Sequence, residues 1–281
     1  MRLAWILLPI SCAAAISHLL DHRSTAVGLV ASALIFGGWG VGLVAALVPD
    51  PRSLTALRVL APAAVVASTA AALRPATPTW ATALGLAGAL LAVVAVIAPV
   101  TVDAFVDGGS YGPEQRWALR VPTGLLLGPV PFALALVIGG LSAGPLLLAA
   151  GQWVLGGLAL VAGVPPAIGA IRAIHHLALR WLVLVPGGMV LHDRAVLADP
   201  ILFARGAVVA VAPATVGTTA TDLTLGAHGL VLFVALAEPV EAARRTGRQR
   251  ADTVRLQEVL VSPVRPGAFL REAGRHRLPV G

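Results

Sequence analysis

Six runs of about twenty apolar residues are the feature that most limits what this chain can fold into. They read as 3–20, 26–48, 57–73, 79–100, 117–139 and 144–164. A run of that length closes all its backbone hydrogen bonds only as a helix, and as a helix it spans the hydrocarbon of a bilayer. The expectation is an α-helical transmembrane bundle. Composition agrees: of 281 residues, 58% are hydrophobic and 12% charged, about half the charge of an average soluble domain, and the mean hydropathy is +0.89. The fifth run carries Pro122, Pro129 and Pro131, which neighbouring protein has to accommodate. The second carries Gly38 and Gly42 in a GxxxG spacing, which lets helices approach closely. For the first run a cleaved signal peptide competes with an uncleaved helix. The uncleaved reading is favoured because another span follows at once.

Arginines set the orientation. With the N-terminus inside, the inner segments hold Arg2, Arg52, Arg58, Arg116, Arg120 and the whole tail, and the outer loops hold Arg23 and Arg74. The positive-inside rule then places both termini in the cytoplasm of a plasma (inner) membrane protein. The formal net charge of +7 rests on arginine, with no lysine in the chain. Arginine without lysine, amid abundant Ala, Val, Gly and Leu, points to a GC-rich, actinobacterial type of coding bias. Cys12 is the only cysteine, so an intrachain disulfide is excluded.

The texture changes at VPPAIGAIRAIHHLALRW, residues 164–181. Pro165 and Pro166 end the sixth run. Ile168, Ile171, Ile174 and Leu177 then oppose Arg172, His176 and Arg180, which recur every four residues. That pattern suits a helix in the headgroup layer closed by Trp181. Continuation of the transmembrane helix past a proline kink is the equal alternative. The expected organisation is a transmembrane domain over 1–166, an interfacial connector over 167–181 and a cytoplasmic β domain over 182–281. All six tryptophans lie at or before this junction, which reads as a membrane part ending at 181.

The last hundred residues alternate short β-type runs with turn signals. Residues 182–185 and 189–192 flank Pro186-Gly187-Gly188, a hairpin signature. Further runs follow at 201–204, 206–211, 222–225, 230–236 and 255–261. A helix begins at Pro266, with Phe269 and Leu270 available to cap a core. The step ILFARGAVVAVAP and the ending EVLVSPVRPGAFLREAGRHR resemble the bacterial PH-like domains that follow transmembrane helices. The likeness covers about the last hundred residues. It implies a small bent β-sandwich or barrel plugged by the C-terminal helix, working in binding or assembly and not in catalysis.

Candidate functional residues fall in two groups. Arg244, Arg245, Arg248 and Arg250 crowd 238–252, read as a loop between strands. With Arg172, His176 and Arg180 they form a candidate contact for anionic headgroups or a protein partner. A solvated, mobile loop is the plainer reading. No aromatic is interleaved with those arginines, which argues against nucleic acid. Asp103, Asp107, His175 and His176 all fall on the inner side, and two carboxylates with two histidines are a candidate divalent-metal set. The plainer reading there is a hydrated turn. No P-loop, GxGxxG, GxSxG or HExxH occurs, and no cofactor is implied.

The first expectation is therefore a non-enzymatic inner-membrane protein that presents a PH-like domain to a protein partner, to another copy of itself, or to anionic lipid. A transporter or permease component, its path lined by the second and fifth helices, is the alternative. A metal-dependent membrane enzyme is the third reading.

Overall fold

The computed structural model describes residues 1–247 and 250–281. The chain divides into two compact units. The first comprises residues 1–101 and 130–175, and the second 102–129 and 176–281.

The first unit is helical. Its elements are α1 (Arg2–Leu20), α2 (Thr25–Leu47), α3 (Pro51–Ala72), α4 (Thr79–Ile97), α7 (Pro129–Ala149) and α8 (Trp153–Ala178). Among the described residues these six helices are long and apolar enough to cross a membrane by length and composition. Small residues set the packing. An added Cβ on Gly42 would lie 1.9 Å from the Trp5 ring, so glycine there makes room for a fully buried tryptophan. The Trp5 indole donates to Trp39 O at 3.0 Å, and the Trp39 indole donates back to Trp5 O at 3.1 Å. Gly38, expected to share one helix contact with Gly42, instead faces Leu60 of α3.

Two span positions differ from the sequence reading. The fifth span runs over 129–149 and not 117–139, and the sixth over 153–178 and not 144–164. The apparent break near Gly139-Gly140 is a helix contact: a Cβ on Gly140 would sit 2.5 Å from Gly163 O. Glycine there admits the facing backbone instead of turning the chain. The turn lies at 150–152, where Gly151 has φ +77°. The second difference concerns the double proline. Helix α8 continues through Pro165 and Pro166 to Ala178, so the connector over 167–181 is not a separate element. Arg180 and Trp181 belong to a strand.

The second unit starts at α5 (Pro99–Asp107), β1 (Gln115–Ala118) and α6 (Thr123–Leu127). After the α7–α8 hairpin come β2 (Arg180–Val185), β3 (Gly188–Asp193), β4 (Ile201–Ala204), β5 (Val208–Pro213), β6 (Thr221–Asp222), β7 (Leu232–Arg245), β8 (Ala251–Val261) and α9 (Pro266–Arg275). They form two four-stranded sheets, ordered β1-β2-β3-β4 and β5-β7-β8-β6. β1 pairs antiparallel with β2 in the register Gln115↔Leu184 to Ala118↔Trp181. The turn Pro186-Gly187 joins β2 to β3, with Gly188 at φ +148°, where a Cβ would strike Phe203 O. Leu182, Leu184, Met189, Leu191 and Phe203 of the first sheet and Val211, Leu232, Val234, Leu256 and Val259 of the second share one core. Phe269 and Ala273 of α9 complete it.

β1 has no counterpart in the sequence reading of this unit. It lies before the last two spans and straddles the start, at 117, of the run read as the fifth. Trp117 from β1 meets Phe269 edge-on at 5.8 Å, and Trp181 in β2 stacks on His192 at 5.0 Å. Those two tryptophans therefore belong to the β unit and not to the membrane part. Most of 238–252, expected as a loop, is strand: β7 and β8 pair from Val240↔Leu256 to Arg245↔Ala251.

Candidate functional site

The most constructed part of the β unit is the place where the chain leaves it for α7 and returns from α8. Arg180, the first residue of β2, makes two parallel hydrogen bonds to Asp193: Nε to Oδ1 at 2.8 Å and Nη2 to Oδ2 at 2.7 Å. The two side chains are 2% and 0% exposed. The residues are cross-strand partners in β2 and β3. The fork of Arg matches a carboxylate in this two-point geometry. Nη1 of Arg180 also donates to Arg120 O at 3.0 Å, tying the outgoing strand to the incoming one. Arg120 is engaged in turn, with Nη1 to His228 O at 2.8 Å and Nε to Pro263 O at 3.2 Å. The Thr123 hydroxyl and His228 Nδ1 lie 2.7 Å apart. Both crossing points are thus held by charge-assisted hydrogen bonds within one unit.

Beside them α5 covers the free edge of β1. The edge strand points the N–H groups of Arg116 and Ala118 away from β2. Asp107 Oδ1 accepts the first at 2.8 Å and Asp103 Oδ1 the second at 3.1 Å. The match is geometric. Carboxylates at i and i+4 on a helix rise roughly 6 Å apart, and alternate amides on a strand repeat at roughly 6.6 Å. The rest of this edge is taken up too: Val264 N donates to Ala118 O, and Arg120 N to Ser262 O, each at 2.8 Å. An exposed edge that would template pairing with another chain is removed.

Asp103 is buried, and its Oδ2 has no hydrogen-bond partner among the described residues. The nearest cation there is Arg265 Nη1 at 3.8 Å. Burial pushes its carboxyl up from 3.8 to about 6, against the pull of the Ala118 amide and Arg265, while Asp107 adds a smaller push upward. His192 is held below the ordinary imidazole range by burial first, and then by the neighbouring positive charge of Arg194 and Arg116, opposed by Asp193.

The two groups of candidate residues separate differently than expected. Asp103 and Asp107 share the β1 edge. His175 Nδ1 instead lies 2.9 Å from the Thr55 hydroxyl, within the helical unit. His176 is exposed near the end of α8. Among the described residues no three His, Cys, Asp or Glu side chains gather as a metal site. Arg180 cannot serve as a headgroup contact, because it is buried on Asp193. Arg172 and His176 remain one turn apart and exposed on α8.

At the far end of the β7–β8 hairpin, Arg245 Nε donates to Leu197 O at 3.2 Å. Arg244 faces Asp252 across the ladder, and Arg250 is exposed. Arg248 lies outside the described residues. The helical unit holds an elongated cavity of about 530 Å³ between α1, α2, α3 and α7. The transporter reading asked for a path lined by the second and fifth spans, and both do line this cavity. Its wall, however, carries no charged side chain.

Sequence reasoning missed Asp193, Arg120 and the capping role of Asp103 and Asp107. The last had a partial signal: two carboxylates four residues apart fall on one face of a helix.

The geometry defines the class at the level of architecture: six helices suited to cross a membrane, joined to a β-rich unit of two sheets closed by a helix. No known protein family, curated protein or solved structure matches the chain.

Proposed function

We propose that this is a non-enzymatic bacterial inner-membrane protein that holds a PH-like β unit at the membrane surface as a binding module. The module serves assembly with a protein partner or a second copy, or contact with anionic headgroups. One observation carries the reading: β1 and β2 are neighbours in one sheet, yet the last two spans lie between them in sequence. The β unit is therefore tethered by three chain connections, after α4, before α7 and after α8, instead of hanging from one linker. Such tethering keeps a module at high effective concentration beside its neighbours without any new contact. Two sheets and a closing C-terminal helix are the features that support the PH-like reading.

The pairing also constrains topology. Strands of one sheet lie on one side of a bilayer, so α7 and α8 together cross an even number of times. With four spans before β1, the N-terminus falls on the same side as the β unit. The arginine asymmetry assigns that side to the cytoplasm. The exposed Arg172, His176 and Arg250 are the basic residues we propose for such a leaflet, where each one near acidic lipid adds about 1 kcal/mol.

A photo-reactive amino acid in place of Arg250, in the full chain expressed in bacterial membranes, tests this. The expected adducts are a single protein, a second copy or an anionic phospholipid. They should weaken when Arg244 and Arg245 are changed to Gln. Absence of any such adduct from a folded, inserted chain would overturn the reading.

A further inference from the structure

We infer that α6 and the loop 223–231 of the β unit form a lipid-dipping surface, with Leu126, Leu127, Leu225 and Leu230 entering the boundary between headgroups and acyl chains. The inference rests on the reading above that α7 crosses a bilayer, and it adds a second point of entry beside that span. All four leucines are exposed. Single exposed apolar side chains are ordinary on a protein surface, but a gathered set marks an interaction site.

The loop is built onto α6. The Thr123 hydroxyl lies 2.7 Å from His228 Nδ1 and accepts from His228 N at 3.3 Å. Arg120, just ahead of α6, donates from Nη1 to His228 O at 2.8 Å. Gly229 sits at φ +113°, and a Cβ there would strike the Arg120 guanidinium, so glycine admits the arginine that holds the loop. Leu225 itself has φ +57°, next to Gly226 at φ +72°. The left-handed region is uncommon for a residue with a Cβ, and here it belongs to a leucine that is turned out of the core. The leucines therefore flank one fixed contact: Leu225 and Leu230 within three residues of His228, and Leu126 and Leu127 within four of Thr123.

Covalent distance names the occupant. Leu127 closes α6 two residues before Pro129, where α7 begins. From Thr123 to Leu127 the helix rises roughly 6 Å, and two further residues reach at most about 7 Å. Peptide bonds alone thus keep the anchor of the loop within roughly 13 Å of the first residue of an apolar helix long enough to cross a membrane. The headgroup layer on one side of a bilayer is roughly 5–8 Å thick, and interfacial apolar segments enter it by about 5–10 Å. The two scales meet.

Composition separates lipid from a protein partner. Residues 121–129 and 223–231 contain no Asp, Glu, Lys or Arg. A patch that receives a protein keeps a polar rim. A segment that enters the acyl boundary sheds its charges, because a charge in hydrocarbon is costly.

The test is fluorescence of the full chain in vesicles of phosphatidylethanolamine and phosphatidylglycerol, with and without a nitroxide on the lipid acyl chain close to its ester. In a Cys12→Ala background a polarity-sensitive label is attached at Leu225→Cys. Two references are Leu141→Cys, exposed on α7, and Leu202→Cys, exposed on β4 at the sheet edge away from β1. The label at 225 should emit to the blue of the label at 202 and be quenched by the nitroxide lipid at least twofold more. Should labelling at 225 disturb its left-handed turn, Leu230→Cys gives the same reading. Quenching at 225 and 230 no greater than at 202, with 141 quenched, overturns the inference and leaves the membrane reading standing. A label at 141 that lipid does not quench overturns both. A blue-shifted label at 225 that the nitroxide lipid leaves unquenched marks a protein contact, and overturns the inference in favour of a partner or a second copy.

Discussion

Arg180 shows how a residue suited to a membrane surface is spent elsewhere. Its spacing from Arg172 and His176 places it on a basic helical face only while the helix lasts, and the helix stops at Ala178. In β2 the guanidinium is fully desolvated against Asp193. Removing one partner of such a pair leaves a buried charge, which costs about 3–5 kcal/mol. Arg180→Leu should therefore lower stability by that order in denaturant melts. The double change Arg180→Leu with Asp193→Leu should recover most of the loss. Asp103 gives a pH signature at the same scale. Its carboxyl binds a proton more tightly in the folded chain, at about 6 against an ordinary 3.8. The folded state therefore gains from protonation as pH falls through 6 towards 3.8, and the burial penalty is fully present above 6. Wild type should gain melting temperature relative to Asp103→Asn on going from pH 7.5 to 4.5. A difference independent of pH would contradict the burial.

Among the elements, close approach decides more than hydropathy. Gly42→Ala places a methyl inside the Trp5 ring, and overpacking of this kind costs about 1–3 kcal/mol. The variant should melt lower in detergent, whereas Gly40→Ala, with open space at its Cβ, should not. The same physics explains what could be read in advance. Runs of apolar residues revealed six long apolar helices, and β-type runs bounded by turn residues revealed the presence of each strand from β2 to β8, though not the second half of β7, and the α9 start at Pro266. Gly139-Gly140 and Pro165-Pro166 misled because glycine at a helix contact and proline in a long apolar helix leave the same local mark as a chain break. β1 was hidden for another reason. Four residues, QRWA, carry no periodicity, and their partner strand lies beyond two spans. The candidate arginines were legible as charge. Their hydrogen bonds were not, because Asp193 is brought to Arg180, and the carbonyl of Leu197 to Arg245, by tertiary structure alone.

On the scale of the whole molecule, the β unit is discontinuous in sequence, and that has a direct test. A fragment of 179–281 lacks β1, Trp117, Leu119 and the α5 edge cover, and should be poorly folded or aggregate. Joining 99–120 to 179–281 restores them. Arg120 O and Arg180 Nη1 are already 3.0 Å apart, so a short loop of about 4–6 residues suffices. The joined protein should be monomeric, with dispersed amide resonances, and the shorter fragment should not. Equal folding of the two would mean β1 is dispensable.

The bracketing strands also impose an order on biosynthesis. β1 leaves the ribosome well before β2, by roughly 3–12 s at 5–20 residues per second. During that interval its inner edge has no mate, while the carboxylates of α5 are already beside it to occupy the other. The sheet can zip only once the final helical pair has been made and the chain has come back. Completion of the β fold would then report that the last helical hairpin has been made, and a chain stalled half-way would display a raw strand to quality-control proteases.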